Sequence, residues 1–324
     1  MIPLDGPFYD RLTVGQELPR QPGITIDGGL AALNQSLFGE RLALTLDAEL
    51  CESVTGRPGR LASPGLVMQV SIGQSTTISR RAIANLFYRD VRLVRPVFVD
   101  ETVRTVVTVA GLADGSSKPG RAPRGKVLVD IVTSVGDEPA VVYQRCPMLP
   151  LEGDELPGHA DDLGEGPELD LAGYAAAAPD WDLGPLGPAG DWAVGATIAD
   201  PTRDVVDGAT ALVRATHNLA MIHRDAEVSP YPVRLVYGGH VVGLAQASLS
   251  RVLPGMATVL GWHGCDHTGP AFEGDLLAFR HTLVDEAPCA AGRVLAVRAE
   301  GTAFRDAEPD GVDVLDWTVV VLAP

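Results

Sequence analysis

Aromatic residues make up only 5% of the 324 positions, so Val, Leu and Ala must fill whatever core this chain builds. Cations are scarce too: 25 Lys and Arg against 42 Asp and Glu leave a formal net charge of −17. That balance excludes nucleic acid, whose phosphates need a face rich in Lys and Arg. It excludes an anionic membrane surface for the same reason. A small phosphorylated ligand needs only a local basic patch. Arg80, Arg81, Arg89, Arg92, Arg95 and Arg104 offer one, with Arg92 the member expected at the substrate, although such a run also reads as solvated strand and helix faces.

The four cysteines, Cys51, Cys146, Cys265 and Cys289, form no CxxC or other metal-spaced pair. They read as reduced structural thiols, which suits a cytoplasmic protein. No stretch has the length and apolarity of a membrane span. The opening MIPLDGPFYDRLTVGQEL lacks the basic and apolar regions of a signal peptide. There is no GxGxxG, no GxxxxGK[ST] and no GxSxG, and no His or carboxylate sits in an HExxH frame. Neither a metal nor a cofactor is expected.

What is present is a repeat. The stretch from Leu151 to Trp192 contains no Lys or Arg and is rich in Gly, Pro, Ala and acids, the composition of a linker. It divides the chain into residues 1–150, a linker at 151–190, and residues 191–324. SPGLVMQVSIGQS in the first part answers YGGHVVGLAQASLS in the second, each with helical spacing. RPVFVDETV likewise answers GPAFEGDLL. Gly65 and Gly239 are 174 positions apart, as are Pro96 and Pro270, and Phe98 and Phe272. A shared offset at separate landmarks marks an internal duplication. Alternating apolar segments at 86–93, 102–109, 126–135 and 140–145 read as strands. So do 276–284, 293–300 and 312–322, and ADGSSKPGRAPRG reads as a hairpin connection. The expected class is α+β: a long helix wrapped by an antiparallel sheet, twice over.

The chemistry concentrates in TRDVVDGATALVRATHNLAMIHRD, where Asn218 and His223 are five apart and converge if the chain leaves its helix between them. A lone His is more often structural. Gly238 and Gly239 open the next helix, where free N–H groups suit a developing oxyanion. A Gly pair also serves tight packing. His240 follows and points to the core or to the cleft.

LFGERLALT, AIANLFY, VRLVRPVFVDETV, LVYGGHVVGLA and HTGPAFEGD resemble the MaoC-like double hot-dog hydratases, and among them the mesaconyl-CoA hydratase type. The resemblance spans nearly the whole chain outside the linker. It implies two hot-dog units pairing as a pseudo-dimer and a coenzyme A thioester as substrate, with association into a homo-oligomer left open. In the family motif Asp-x-Asn-Pro-x-His, Asn218 falls on the Asp position and His223 on the His position, and Gly239 falls on the backbone oxyanion donor. In the first half Glu40 and Thr45 stand in the motif's place, so that half is expected to shape the acyl channel rather than to react. Asp266 stands before His267 and Thr268 where the subgroup carries a cation, and Asp266 and His267 are expected at the substrate. The implied activity is hydration of an enoyl-CoA, or dehydration of a 3-hydroxyacyl-CoA. Mesaconyl-CoA or a related branched ester is a candidate substrate. The alternatives are a thioesterase using Asp266 or Asp275, and a non-catalytic acyl-CoA binder.

Overall fold

A computed structural model describes residues 6–116, 120 and 122–324 of the chain. Ten strands form one antiparallel sheet. They are β1 (Ile24–Thr25), β2 (Ala84–Leu93), β3 (Thr102–Asp114), β4 (Arg124–Val135), β5 (Glu138–Pro150), β6 (Thr197–Val205), β7 (Thr258–Asp266), β8 (Leu276–Pro288), β9 (Arg293–Arg305) and β10 (Glu308–Ala323). Their order is β1-β3-β4-β5-β2-β7-β10-β9-β8-β6, so each half contributes five strands and the halves meet at β2 and β7. Two register pairs make that seam, Val91 with Trp262 and Arg92 with Gly261.

The helices are α1 (Gly28–Phe38), α2 (Ala43–Leu46), α3 (Ala48–Thr55), α4 (Pro64–Ser75), α5 (Leu171–Ala177), α6 (Ala209–Ala215) and α7 (Gly238–Val252). The sheet curls around α4 and α7, and every residue of α4 is buried. This is why α4 is mostly apolar or small all round instead of one-sided, with Gln69 and Gln74 buried as hydrogen-bonded exceptions. Small residues let α4 pack closely: a Cβ on Gly73 would fall 1.9 Å from the Thr216 carbonyl oxygen.

The duplication reaches individual hydrogen bonds. The turn before β3 has Asp100 at φ 74°, and the turn before β8 has Gly274 at φ 92° in the same place. Glu101 accepts from the Phe98 N–H at 2.9 Å, and Asp275 accepts from the Phe272 N–H at 2.8 Å. The fold is α+β, a tandem pair of hot-dog units. Buried residues of both halves, from Tyr9 to Ala323, share one apolar core.

Strands β1, β6 and β7 were not read from the sequence, β1 being only two residues long. TIADPTRDV is polar because β6 is an edge strand with one ladder partner. Glycines interrupt the alternation of TVLGWHGCD in β7. The loop between β3 and β4 is the hairpin connection expected, and its residues 117–119 and 121 lie outside the described set, as do residues 1–5 at the N-terminus.

The segment after β5 wraps the outer side of the sheet. Leu171, Tyr174 and Leu183 are buried in a second apolar cluster with Leu44, Leu61, Leu260, Val320 and Leu322. A few apolar side chains thus anchor a stretch whose overall composition is that of a linker. The four cysteines are free thiols, three of them buried. Among the described residues no helix is long and apolar enough to cross a membrane.

Candidate active site at the N-terminus of α7

Helix α6 ends at Ala215, and His217 adopts a left-handed φ of 57°. The chain then turns through a short 3-10 segment, Met221–His223. Asn218 shapes that turn. It is buried, and its Oδ1 accepts from the Ala220 N–H at 2.9 Å. Its carbonyl is held by two N–H groups of Arg224 at 2.8 and 2.6 Å. The chain leaves its helix at Ala215, before Asn218 and not between Asn218 and His223, and among the described residues the two side chains share no hydrogen bond. Asn218 positions the loop, and Arg224 acts with it.

His223 Nδ1 lies 3.0 Å from the Leu235 carbonyl oxygen. A carbonyl only accepts, so Nδ1 carries the hydrogen and Nε2 keeps its lone pair. Burial pushes the His223 pKa down to about 4, with the positive charge of Arg145 acting the same way and the Leu235 hydrogen bond against it. At neutral pH the side chain is therefore a neutral imidazole with a free basic nitrogen.

Its ring lies 5.5 Å from that of Tyr237, the residue that precedes α7. No side chain caps this helix. The first N–H groups of a helix have no partner within it, so Gly238 and Gly239 present donors at its end. Both glycines are required by close approach. A Cβ on Gly239 would lie 2.4 Å from the Tyr237 ring, and one on Gly238 would lie 2.3 Å from His267 Nε2. His267 is open to solvent yet crowded by protein, as befits a cleft wall. Desolvation by the surrounding protein, and then repulsion from His223 when that ring is protonated, push its pKa down to about 4.

The neighbouring wall comes from the first half of the chain. Gln69 of α4 donates to the Gly239 carbonyl at 2.9 Å, and Thr76 accepts from the Leu219 N–H at 2.8 Å. Arg145 of β5 reaches the same region and bonds Ser75 at the end of α4. The Tyr237 hydroxyl is buried without a partner, and burial holds it protonated. An unpaired buried hydroxyl costs about 1–3 kcal/mol, so it is a donor waiting for a ligand or a strain left in place.

Other residues expected at the site lie elsewhere. His240 is fully enclosed with its ring 5.1 Å from Phe38, so it belongs to the core and not to the cleft. Arg92 pairs with Asp90 at 3.0 Å and stacks on Tyr174 at 4.0 Å. It therefore holds the strap between the halves against the sheet. Asp266 is exposed, and alternation along β7 turns it away from the side that carries buried Cys265. Asp275 is committed to the Phe272 N–H and to Arg305 at 3.3 Å.

Sequence reading missed Tyr237 and Arg145 as site residues. Tyr237 was already inside the LVYGGH motif. Arg145 shares a strand face with Val141 and Tyr143, and a cation on an apolar face is a signal that alternation exposes.

The corresponding end of α4 is closed. Ser63 caps it through the Leu66 N–H at 3.4 Å, and Pro64 occupies its first turn. Glu40 is buried against Gln246 and Ser63, and burial raises its pKa. Thr45 donates to the Leu42 carbonyl at 2.8 Å. An apolar cavity of about 140 Å³ lies beside this end, lined by Leu61, Pro64, Val67, Val97 and Val259, with no His among its walls.

Two central helices on one ten-stranded sheet, one end closed and the other carrying His223, define a double hot-dog protein. A conserved hypothetical protein of Mycobacterium tuberculosis with a double hot-dog fold is 42% identical, with a TM-score of 0.89 over 99% of each chain. A putative MaoC domain protein dehydratase of Chloroflexus aurantiacus is 25% identical, with a TM-score of 0.85 over 98% of this chain and 97% of its own. Mesaconyl-CoA hydratase of Cereibacter sphaeroides is 29% identical over 93% of this chain and 90% of its own. No family model matches the chain. The chain belongs to the MaoC-like double hot-dog family.

Proposed function

We propose that this chain is an acyl-CoA hydratase/dehydratase, acting across the C2–C3 bond of an enoyl-CoA or 3-hydroxyacyl-CoA. The observation that carries this reading is a neutral His223 with a free Nε2, set beside an uncapped helix N-terminus. In the hydration direction Nε2 takes a proton from water as the water oxygen bonds to C3. The C2–C3 π electrons move toward the thioester, whose oxygen takes up negative charge at the Gly239 N–H. His223 then returns the proton to C2, and the reverse sequence eliminates water. Imidazole suits both proton transfers, and a preorganised donor aimed at the oxyanion is worth roughly 3–4 kcal/mol. Asn218 cannot exchange protons and acts by holding the loop.

The chemistry needs no cofactor, and coenzyme A enters as part of the substrate. A cytoplasmic site of action is supported by the four free thiols. The thioesterase alternative loses ground because Asp266 and Asp275 lie away from His223 or are already engaged.

The test is an enoyl-CoA assay that follows loss of the conjugated thioester and release of free thiol together. Hydration without thiol release is expected, and His223→Ala should lower kcat by about two to four powers of ten. Thiol release without hydration would establish the esterase instead.

A further inference from the structure

Tyr237 stands immediately before α7, and Ser63, 174 positions earlier, stands immediately before α4. Both carry a hydroxyl, and the two are used in opposite ways. Ser63 Oγ accepts from the Leu66 N–H and from Gln246 Nε2, each at 3.4 Å. The Tyr237 hydroxyl is enclosed and has no hydrogen-bond partner among the described residues. It does not fold back to cap the helix. Phe would fill the same apolar space without burying an unpaired polar group, so the hydroxyl asks for a reason.

Its place supplies one. The hydroxyl oxygen would lie 2.7 Å from a Cβ on Gly239. That Cβ position is about 2.5 Å from the residue's own nitrogen by covalent geometry. The Tyr237 oxygen and the Gly239 nitrogen therefore stand no more than about 5.2 Å apart. Two donors at that separation can reach one oxygen, each at about 2.9 Å. The His223 ring lies 5.5 Å from the Tyr237 ring, which sets its free basic nitrogen beside the same helix end. Gly238 is half-buried and lies against the exposed His267, so solvent reaches this end one residue from Gly239. Enclosure disfavours the phenolate, so Tyr237 keeps its proton at neutral pH and acts as a donor.

We propose that Tyr237 is a catalytic residue whose hydroxyl donates to the thioester oxygen alongside the Gly239 N–H, holding the negative charge that forms there as water adds to C3. The inference rests on the proposed acyl-CoA reading for the identity of the thioester. The phenolic O–H bond does not break. Protons move through His223, while Tyr237 and Gly239 make a two-point hole for the oxygen. Gly239 is then required twice, as the N–H donor and because any Cβ would crowd the hydroxyl that shares its oxygen.

The experiment is infrared difference spectroscopy of bound butyryl-CoA with an isotopic label at the thioester carbonyl carbon, a saturated ester that cannot be hydrated. Donors on the oxygen weaken the C=O bond and lower its stretching frequency. In the wild-type protein the band of the bound ester should lie below that of the free ester. Tyr237→Phe should return it part of the way, and Ser63→Ala, which removes the equivalent hydroxyl of the closed end, should leave it where it is. On an enoyl-CoA substrate Tyr237→Phe should lower kcat about 10²–10³-fold with KM little changed. Its melting temperature should not fall, because the hydroxyl it removes has no protein partner. A band that is not displaced in the wild-type protein, or that Tyr237→Phe leaves unmoved, overturns the inference. A lowered melting temperature overturns it as well, since the hydroxyl would then serve the fold. A displaced carbonyl band without turnover on any enoyl-CoA would sink the hydratase reading and leave this donor standing.

Discussion

The N-termini of α4 and α7 stand 174 positions apart in equivalent places and are finished in opposite ways. Helix α4 begins with a Ser cap and a Pro, and buries Glu40 against Gln246 beside it. Helix α7 begins with two glycines and no cap, below a hydroxyl without a partner. Capping and satisfied polar groups stabilise a helix end. Open donors and an orphaned hydroxyl cost stability, and such costs persist where function uses them. The duplication thus separates what the fold requires from what the chemistry requires.

The sharpest way to break this comparison is to fill both helix ends alike. Gly239→Ala puts a Cβ 2.4 Å from the Tyr237 ring and displaces the proposed oxyanion donor. Steady-state kinetics should show kcat reduced by about 10²–10³, the usual loss for one such donor. Gly65→Ala meets the flexible amide of Gln246 at 2.9 Å and should alter stability rather than turnover. Equal kinetic losses in the two variants would mean that both ends react.

Next in size is Asn218. Asn218→Ala removes the acceptor of the Ala220 N–H and loosens the His223 turn, a misplacement that should cost at most about 10²-fold in kcat. Asn218→Asp keeps an acceptor at that position and should retain most of the activity. A full loss with Asp would show that the amide N–H is what the site uses.

How far the site was legible follows from what each residue does. The Gly65 and Gly239 offset exposed the duplication, because close helix packing fixes glycine at both places. His223 and Gly239 could be singled out because residue types near one loop and one helix end are visible in the sequence, and the ring of His223 lies 5.5 Å from that of Tyr237, which precedes the two glycines. His240 and Arg92 misled because sequence adjacency to a site is not direction. Helix rotation buries His240 against Phe38, and strand alternation sends Arg92 to the outer side under Tyr174. Arg145 was hidden for the opposite reason: it comes from the other half of the chain, and only the β2–β5 and β2–β7 ladders bring it to the cleft.

A smaller effect is on stability through pH, and core and cleft share it, since burial lowers His223 and His267 to about 4 as well. His240 and His281 are fully enclosed, and burial pushes both pKa values down to about 4. In the unfolded chain they titrate near 6.5. Between those values the unfolded state binds protons that the folded state refuses. Their contribution is complete above about pH 6.5, is lost as pH falls toward about 4, and then levels off. Melting temperature should therefore drop between pH 7 and pH 5, and His240→Phe should flatten that slope. A slope unchanged in the variant would place the titration elsewhere. The smallest expected change is Ser63→Ala at the closed end, which should cost about 1 kcal/mol in denaturant unfolding and leave kcat alone.

The central claim is that one end of the duplicated fold is a site and the other is not. Its most direct test is the stoichiometry of binding, with a saturated acyl-CoA titrated calorimetrically into the intact chain. The account predicts one ester per chain, with Gly239→Ala weakening binding and Gly65→Ala sparing it. Two equivalent esters per chain would contradict it.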